Sequence, residues 1–198
     1  MQKHYKNCLL TLLLVCSTCL PTAGQSRLQQ FDDHTLEYLA AHRTPGQTKL
    51  WLFVSNANEY VDIAIPAGLL VAGVIDNDAQ MKRNALYVAS TTAATALVNV
   101  LIKKLVKRPR PFVTNLHLTA VYHPTSYSFP SGHTSSAFGA LTPLARAYPK
   151  WYFAAPSLLW AGAVGYSRMY LGVHYPSDVA AGALLVAGTA FGLGFIRR

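Results

Sequence analysis

Five apolar blocks, separated by short polar or basic loops, occupy most of the chain after residue 60 and constrain its fold more than any other feature. The blocks cover residues 61–75, 84–102, 133–148, 151–165 and 179–196. Two of them are long enough to cross a bilayer as helices, and the other three need flanking residues to do so. Charged residues make up only 13% of the chain, against about 25% in an ordinary globular protein. The pattern therefore predicts an all-α, integral-membrane helical bundle of about five spans.

The first 24 residues have the layout of a secretory signal, with two lysines, an apolar core at residues 8–20 and small residues after Pro21. We predict a signal peptide or an N-terminal anchor over residues 1–24. Residues 25–60 mix aromatic and charged side chains, as amphipathic helices on a membrane surface do, and no chemistry is expected there. A single domain, residues 25–198, then comprises these surface helices and the bundle at 61–198.

Lysine and arginine outnumber acidic residues by 17 to 8, a surplus that suits partners carrying phosphate. One threading of the blocks places every basic loop on the cytoplasmic side except the cluster at 103–110, which it leaves outside. Such an exception is explained by an anion that the cluster holds, or by contact with anionic lipid headgroups. Nucleic acid is not expected as a partner, because a helix so apolar just upstream would not be left exposed in a soluble nucleic-acid-binding protein.

The outer basic cluster is the first of three polar stretches that this threading places on one face. Pro109 and Pro111 predict that the helix before them ends near Lys107. Lys103 then extends from a helix end, and Arg110 lies on a rigid extended segment. A compact ammonium and a planar guanidinium together suit a tetrahedral anion, although a stiff surface linker would also explain the prolines.

The second stretch, Ser131-Gly132-His133, precedes an apolar run with helical spacing. Ser131 is therefore a candidate N-cap. A helix N-terminus also binds anions through its free N–H groups, and Gly132 allows an oxygen to approach the backbone closely. His133 would lie beside such an anion as a proton donor, or it has only a structural role.

The third stretch contains Arg168, His174 and Asp178, and Asp178 is the only acidic residue between positions 85 and 198. Pro176 predicts that the last helix begins just before Asp178, where the helix dipole favours a carboxylate. That dipole does not explain why a histidine lies four positions earlier. A carboxylate that holds one imidazole nitrogen leaves the other free to attack, so His174 is a candidate nucleophile.

Together, Lys103 to Arg110-Pro111, Pro130-Ser-Gly-His133 and Ser167-Arg168 to His174 to Asp178 resemble the three-part signature of the type 2 phosphatidic acid phosphatase (PAP2) family. The resemblance implies a helical phosphatase that needs no metal or cofactor and forms a phosphohistidine. It implies that His174 attacks phosphorus, Asp178 orients it and His133 handles the leaving-group proton. The implied phosphate-binding residues are Lys103, Arg110, Ser131, Gly132 and Arg168.

These observations predict an enzyme that removes phosphate from a membrane lipid phosphate or diphosphate. Candidate substrates are undecaprenyl diphosphate, phosphatidylglycerol phosphate, phosphatidic acid and lipid A. We expect a multi-pass protein of the bacterial inner membrane whose active site faces the periplasm or the outside. Alternatives are a soluble periplasmic acid phosphatase, a haloperoxidase, and a non-catalytic membrane protein that binds anionic lipid. All three cysteines lie among the first twenty residues, so zinc or cysteine chemistry is not expected in the main body.

Overall fold

The computed structural model describes residues 23–197, and its regular structure over that range is entirely helical. The predicted signal or anchor segment lies outside the described residues except at its last two positions. The chain divides between Phe31 and Asp32, and the contacts described below lie in the unit that begins at Asp32. In chain order the helices are α1 (Ala23–Ala41), α2 (Pro45–Ile75), α3 (Ala79–Val106), α4 (Pro111–Thr114), α5 (Gly132–Ala147), α6 (Trp151–Tyr170) and α7 (Pro176–Gly192), followed by a 3-10 turn (Gly194–Arg197).

Local capping sets the ends of the two longest helices. Thr44 caps α2 by accepting a hydrogen bond from the Gln47 N–H, and a proline occupies the first helical position. Asp78 caps α3 by accepting from two N–H groups of its first turn. Helix α3 ends at Val106, and Lys107 adopts a left-handed conformation with φ of 51°. The predicted end near Lys107 is confirmed.

Among the described residues, two stretches are long and apolar enough to cross a bilayer by length and composition, Pro45–Ile75 and Ala79–Thr114. The expected number of about five spans stays a prediction. Helix α2 runs without a break across residue 60, where the sequence analysis had separated surface helices from the bundle. The apolar block at 61–75 is thus the second half of a 31-residue helix.

Helix α5 lies at the centre of the bundle, where it packs against α3, α6 and α7. Its buried residues join those of α2 and α6 in an apolar core, while the outward faces of the helices expose large apolar side chains. Leu105, Leu159 and Leu184 are each more than 70% exposed, as expected of surfaces that face lipid. The core cluster consists of Val54, Ala137, Leu141, Ala161 and Val164.

Four helix ends meet at one end of this bundle: the C-terminal ends of α3 and α6 and the N-terminal ends of α5 and α7. The Ser131 N–H at the start of α5 donates to the Asp178 carbonyl in α7 at 3.0 Å. The chain returns from α6 to α7 through a tight turn in which Gly172 has a φ of 74°. A side chain there would be strained, and its Cβ would lie 2.7 Å from the Arg43 guanidinium. The predicted convergence of the three polar stretches is confirmed.

Candidate active site

Lys103 enters the site from the last turn of α3, and Arg110 enters it from the segment that follows this helix. Lys103 Nζ donates to the Tyr127 carbonyl at 2.6 Å, on the loop that leads to α5. Arg110 is only 5% exposed and precedes the short helix α4. Its Nε donates to the Ser126 carbonyl at 2.7 Å, and its Nη2 donates to the Ser126 hydroxyl at 2.9 Å. These bonds hold the guanidinium plane in a fixed orientation.

The contact between Arg110 and His174 determines which nitrogen of the imidazole carries the proton. Arg110 Nη1 lies 3.2 Å from His174 Nε2 and 2.7 Å from the Val173 carbonyl. A guanidinium can only donate, so His174 Nε2 must be the acceptor and the proton must be on Nδ1. The Nε2 lone pair therefore points toward the cationic side of the site.

Behind the imidazole, Asp178 is fully buried and surrounded by donors. Its Oδ1 accepts from Arg108 Nη1 at 2.8 Å, and its Oδ2 accepts from the Tyr175 N–H at 3.0 Å. The Ser128 hydroxyl also donates to Oδ2. Asp178 Oδ2 lies 3.6 Å from His174 Nδ1, an ion-pair distance rather than a direct hydrogen bond. These donors favour the ionised carboxylate, which faces the protonated nitrogen of the imidazole.

His174 lies in the loop between α6 and α7 and is 2% exposed. Burial lowers the pKa of His174 to about 3, because desolvation disfavours the imidazolium. The nearby carboxylate of Asp178 opposes this shift, whereas the charges of Arg168 and Arg110 add to it. The imidazole is consequently neutral near pH 7, as a nitrogen nucleophile must be.

Ser131 stands at the N-cap position of α5, but its hydroxyl does not cap the helix. The hydroxyl instead accepts from the Thr134 hydroxyl at 2.9 Å, which corrects the expected capping role. Helix α5 begins at Gly132, so the first free N–H groups of the helix lie beside His133. His133 Nε2 is 3.8 Å from a carboxylate oxygen of Glu59 in α2.

Arg168 lies in the last turn of α6 with only 1% of its surface exposed. Its Nη1 donates to the Ser55 hydroxyl of α2, and its guanidinium carbon lies 5.5 Å from the centre of the Tyr122 ring. Its Nε, among the described atoms, has no hydrogen-bond partner. A buried donor without a partner is costly, and an anion in the site would satisfy it.

The region around this site matches a known family. A model of the PAP2 superfamily matches residues 84–197, which is more than half of the chain. The chain belongs to the PAP2 superfamily. The family resemblance of the three motifs is thereby confirmed, and the matched region contains all eight predicted site residues.

Curated relatives of this PAP2 protein include two undecaprenyl-diphosphatases. The chain is 33% identical over 129 residues to undecaprenyl-diphosphatase BcrC of Bacillus subtilis, covering 65% of each chain. It is 29% identical over 198 residues to an undecaprenyl-diphosphatase of Sulfolobus acidocaldarius, covering 96% of this chain and 90% of that one. The match thus spans less than two thirds of the Bacillus protein and most of the Sulfolobus protein.

Two solved structures share the PAP2 fold of this chain. The transmembrane PAP2-type phosphatidylglycerolphosphate phosphatase from Bacillus subtilis has a TM-score of 0.71 at 23% identity, over 94% of this chain and 92% of that one. Aquifex aeolicus LpxE has a TM-score of 0.63 at 25% identity, over 82% of this chain and 93% of that one. The prediction of an all-helical membrane fold is confirmed.

Several residues of this PAP2 site were not found from the sequence. Ser128 bonds the oxygen of Asp178 that faces His174, and its only local signal is its position beside the Ser131 motif. Asp32 and Ser55 lie in the region where no chemistry was expected, yet they contact Arg108 and Arg168, respectively. These contacts were not predicted, because a residue distant in the sequence has no pattern that links it to its partner in the site.

Proposed function

We propose that this chain hydrolyses a lipid phosphate or diphosphate through a phosphohistidine on His174. The observation that carries the proposal is the orientation of the buried imidazole. Its Nε2 accepts from Arg110, and its Nδ1 faces the carboxylate of Asp178. This arrangement supports a neutral nucleophile, because the Asp178 carboxylate stabilises the imidazole as it becomes positively charged.

In the first step, the Nε2 lone pair of His174 forms a bond to phosphorus, and the bond from phosphorus to the leaving oxygen breaks. Burial lowers the pKa of His133 to about 3, so His133 takes up a proton only as the anionic substrate enters the site. The imidazolium then donates that proton to the leaving oxygen, and the alcohol or the shorter phosphate leaves. Lys103, Arg110 and Arg168 neutralise the charge on the equatorial oxygens, with the Ser131 hydroxyl and the free N–H of Gly132 as further donors.

In the second step, a water molecule replaces the lipid. His133, now neutral, accepts a proton from water as the oxygen of that water attacks phosphorus. The bond from phosphorus to His174 Nε2 breaks, and the electron pair returns to the imidazole. Inorganic phosphate is released, and both histidines regain their starting protonation states. Electrostatic stabilisation by fixed cations is the largest contribution expected in phosphoryl transfer of this kind.

Undecaprenyl diphosphate is the substrate that we favour, since two relatives are named for it. Phosphatidylglycerol phosphate, phosphatidic acid and lipid A are the other candidates. The exposed apolar side chains around the bundle support a substrate that arrives within the bilayer. The distribution of basic loops favours the bacterial inner membrane, with the site on its outer side.

The test is phosphate release from each of these four lipids in detergent micelles by the purified protein. We expect release that persists in EDTA and is abolished by His174→Ala. His117→Ala is the matched control, because this exposed histidine lies on the segment between α4 and α5, away from the contacts of the site. It should leave the rate unchanged.

Five results would contradict the proposal. Activity that survives His174→Ala, or that EDTA removes, would exclude the histidine mechanism. Faster hydrolysis of a water-soluble phosphomonoester than of any lipid would favour a soluble-type acid phosphatase. A wild-type protein that binds anionic lipid but releases no phosphate would favour a non-catalytic membrane component, and bromide oxidation after vanadate addition would favour a haloperoxidase.

A further inference from the structure

Asp32 in α1 is a fully buried carboxylate that the proposed reaction does not use. It lies outside residues 84–197, the region matched by the family model. Its Oδ1 accepts from the Ser177 N–H at 3.0 Å, and its Oδ2 accepts from Arg108 Nη2 at 2.9 Å and from the Ser177 hydroxyl. Asp32 therefore holds both the first turn of α7 and the guanidinium of Arg108.

Arg108 connects this carboxylate to Asp178. Its Nη2 bonds Asp32, while its Nη1 donates to Asp178 Oδ1 at 2.8 Å and to the Ser177 hydroxyl at 2.7 Å. The guanidinium also covers the Tyr175 ring, with its central carbon 3.9 Å from the ring centre. A planar fork with donors on two sides suits such a bridge between two carboxylates, and lysine could not replace it.

The charge of Asp32 determines how strongly Arg108 attracts Asp178. With both carboxylates present, two negative groups share one guanidinium. If a neutral side chain replaced Asp32, the full positive charge of Arg108 would act on Asp178. The negative charge of the Asp178 carboxylate would then be drawn toward Arg108 and away from the imidazole of His174. The first turn of α7, which carries Asp178, would also lose an anchor at Ser177.

We propose that Asp32 is a positioning residue for the pair formed by His174 and Asp178, acting through Arg108 and the first turn of α7. The expected fall in kcat rests on the proposed function. The expected change in the position of Asp178 relative to His174 does not depend on it. A residue that precedes the region matched by the family model, residues 84–197, thereby becomes part of the active site. The alternative is that Asp32 only stabilises the fold as a buried ion pair.

Asp32→Asn tests the inference, because it removes the charge while keeping the shape of the side chain. We expect kcat to fall about 10- to 100-fold with KM within about 3-fold, since the pair acts on the transition state rather than on lipid binding. Glu37→Gln is the matched control on the same helix, because Glu37 is exposed and bonds only Asn115 among the described contacts. It should leave kcat unchanged.

A double-mutant cycle identifies the route of the effect. If Asp32 acts through Arg108, Asp32→Asn combined with Arg108→Gln should be no slower than the slower single variant. Rate losses that multiply would overturn the route through Arg108. If Asp32→Asn does not fold, Ser177→Ala removes a hydroxyl that both residues contact, and kcat should then fall several-fold. An unchanged kcat in Ser177→Ala would overturn the inference.

Nitrogen NMR of histidine-labelled protein separates this inference from the proposed function, because it needs no substrate. In the wild type we expect His174 to carry its proton on Nδ1 only. In Asp32→Asn, Arg110 still donates to Nε2 and keeps this tautomer, but the Nδ1 signal should shift because the Asp178 carboxylate that faces it moves. If the wild type hydrolyses no lipid, the proposed function fails while this spectral change still supports the positioning role. If the wild type is active and Asp32→Asn changes neither kcat nor the His174 signals, the positioning role alone fails.

Discussion

Gly182 allows α7 to approach the start of α5 more closely than any other residue could. A Cβ at this position would lie 2.8 Å from the Ser131 carbonyl oxygen and 3.1 Å from the Ser135 hydroxyl. The carbonyl oxygen belongs to the backbone and cannot rotate away. Gly182 also lies one helical turn after Asp178, so the approach of the two helices fixes where that carboxylate stands.

Gly182→Ala should therefore separate α7 from α5. Moving the Cβ from 2.8 Å to the 3.4 Å of an ordinary contact requires a shift of about 0.6 Å. Overpacking of this kind costs about 1–3 kcal/mol, and the better helix propensity of alanine returns up to about 1 kcal/mol. The same shift would lengthen the bond from the Ser131 N–H to the Asp178 carbonyl, now 3.0 Å, beyond hydrogen-bond range.

The assay compares thermal unfolding and kcat of Gly182→Ala with those of Gly188→Ala. Gly188 lies in the same helix, but a Cβ there would meet nothing within 4 Å. We expect Gly182→Ala to lower Tm by several degrees, at about 2–4 °C per kcal/mol for a chain of this size. We also expect kcat to fall about 10-fold, because a misplacement near 1 Å can cost about 100-fold. Gly188→Ala should lower neither Tm nor kcat.

Equal Tm and equal kcat in the two alanine variants would refute this reasoning. That result would mean that α7 and α5 separate by half an ångström without cost, and that the site does not depend on their approach. A lower Tm with unchanged kcat would refute only the link between helix packing and catalysis.

Two further predictions concern charge. Arg168→Lys should lower kcat/KM by at least 10-fold in the lipid phosphatase assay, because an ammonium cannot contact Ser55 and an anion at once with the geometry of a planar fork; a rate within 2-fold of wild type would contradict this. Because burial lowers the pKa of His174 to about 3, the unfolded chain binds a proton near pH 6.5 that the folded chain does not. The free energy of unfolding should therefore fall as pH decreases from 6.5 toward 3, by up to about 1.4 kcal/mol per pH unit. Thermal unfolding of His174→Ala should depend less on pH than that of the wild type. Parallel curves of Tm against pH for the two proteins would contradict this prediction.

Residues that act at helix ends were predicted from the sequence because local patterns mark them. Prolines and glycines place Arg110, Gly132 and Asp178 at such ends, and the structure agrees. The role of Ser131 was only partly predicted, since its position at the helix start is right but its hydroxyl bonds Thr134. A side-chain rotamer depends on neighbours from other helices, which spacing along the chain does not describe.

The role of Arg108 shows more clearly which contacts the sequence does not predict. The motif spacing selects Arg110 as the phosphate ligand and assigns nothing to Arg108. In the structure Arg108 bridges Asp32 and Asp178, two carboxylates from opposite ends of the chain. Only their approach in three dimensions creates this contact, so no local pattern signals it.

For this protein, the sequence alone determined the helical membrane architecture, because hydropathy depends on composition along each segment. It also determined the family and the residues at the helix ends, because their types and order carry the motifs. The tertiary structure alone decided the proton position on His174, the bridge from Asp32 and the separation of α5 from α7 at Gly182. Each of these depends on distances of a few ångströms between segments far apart in the chain, and packing sets those distances.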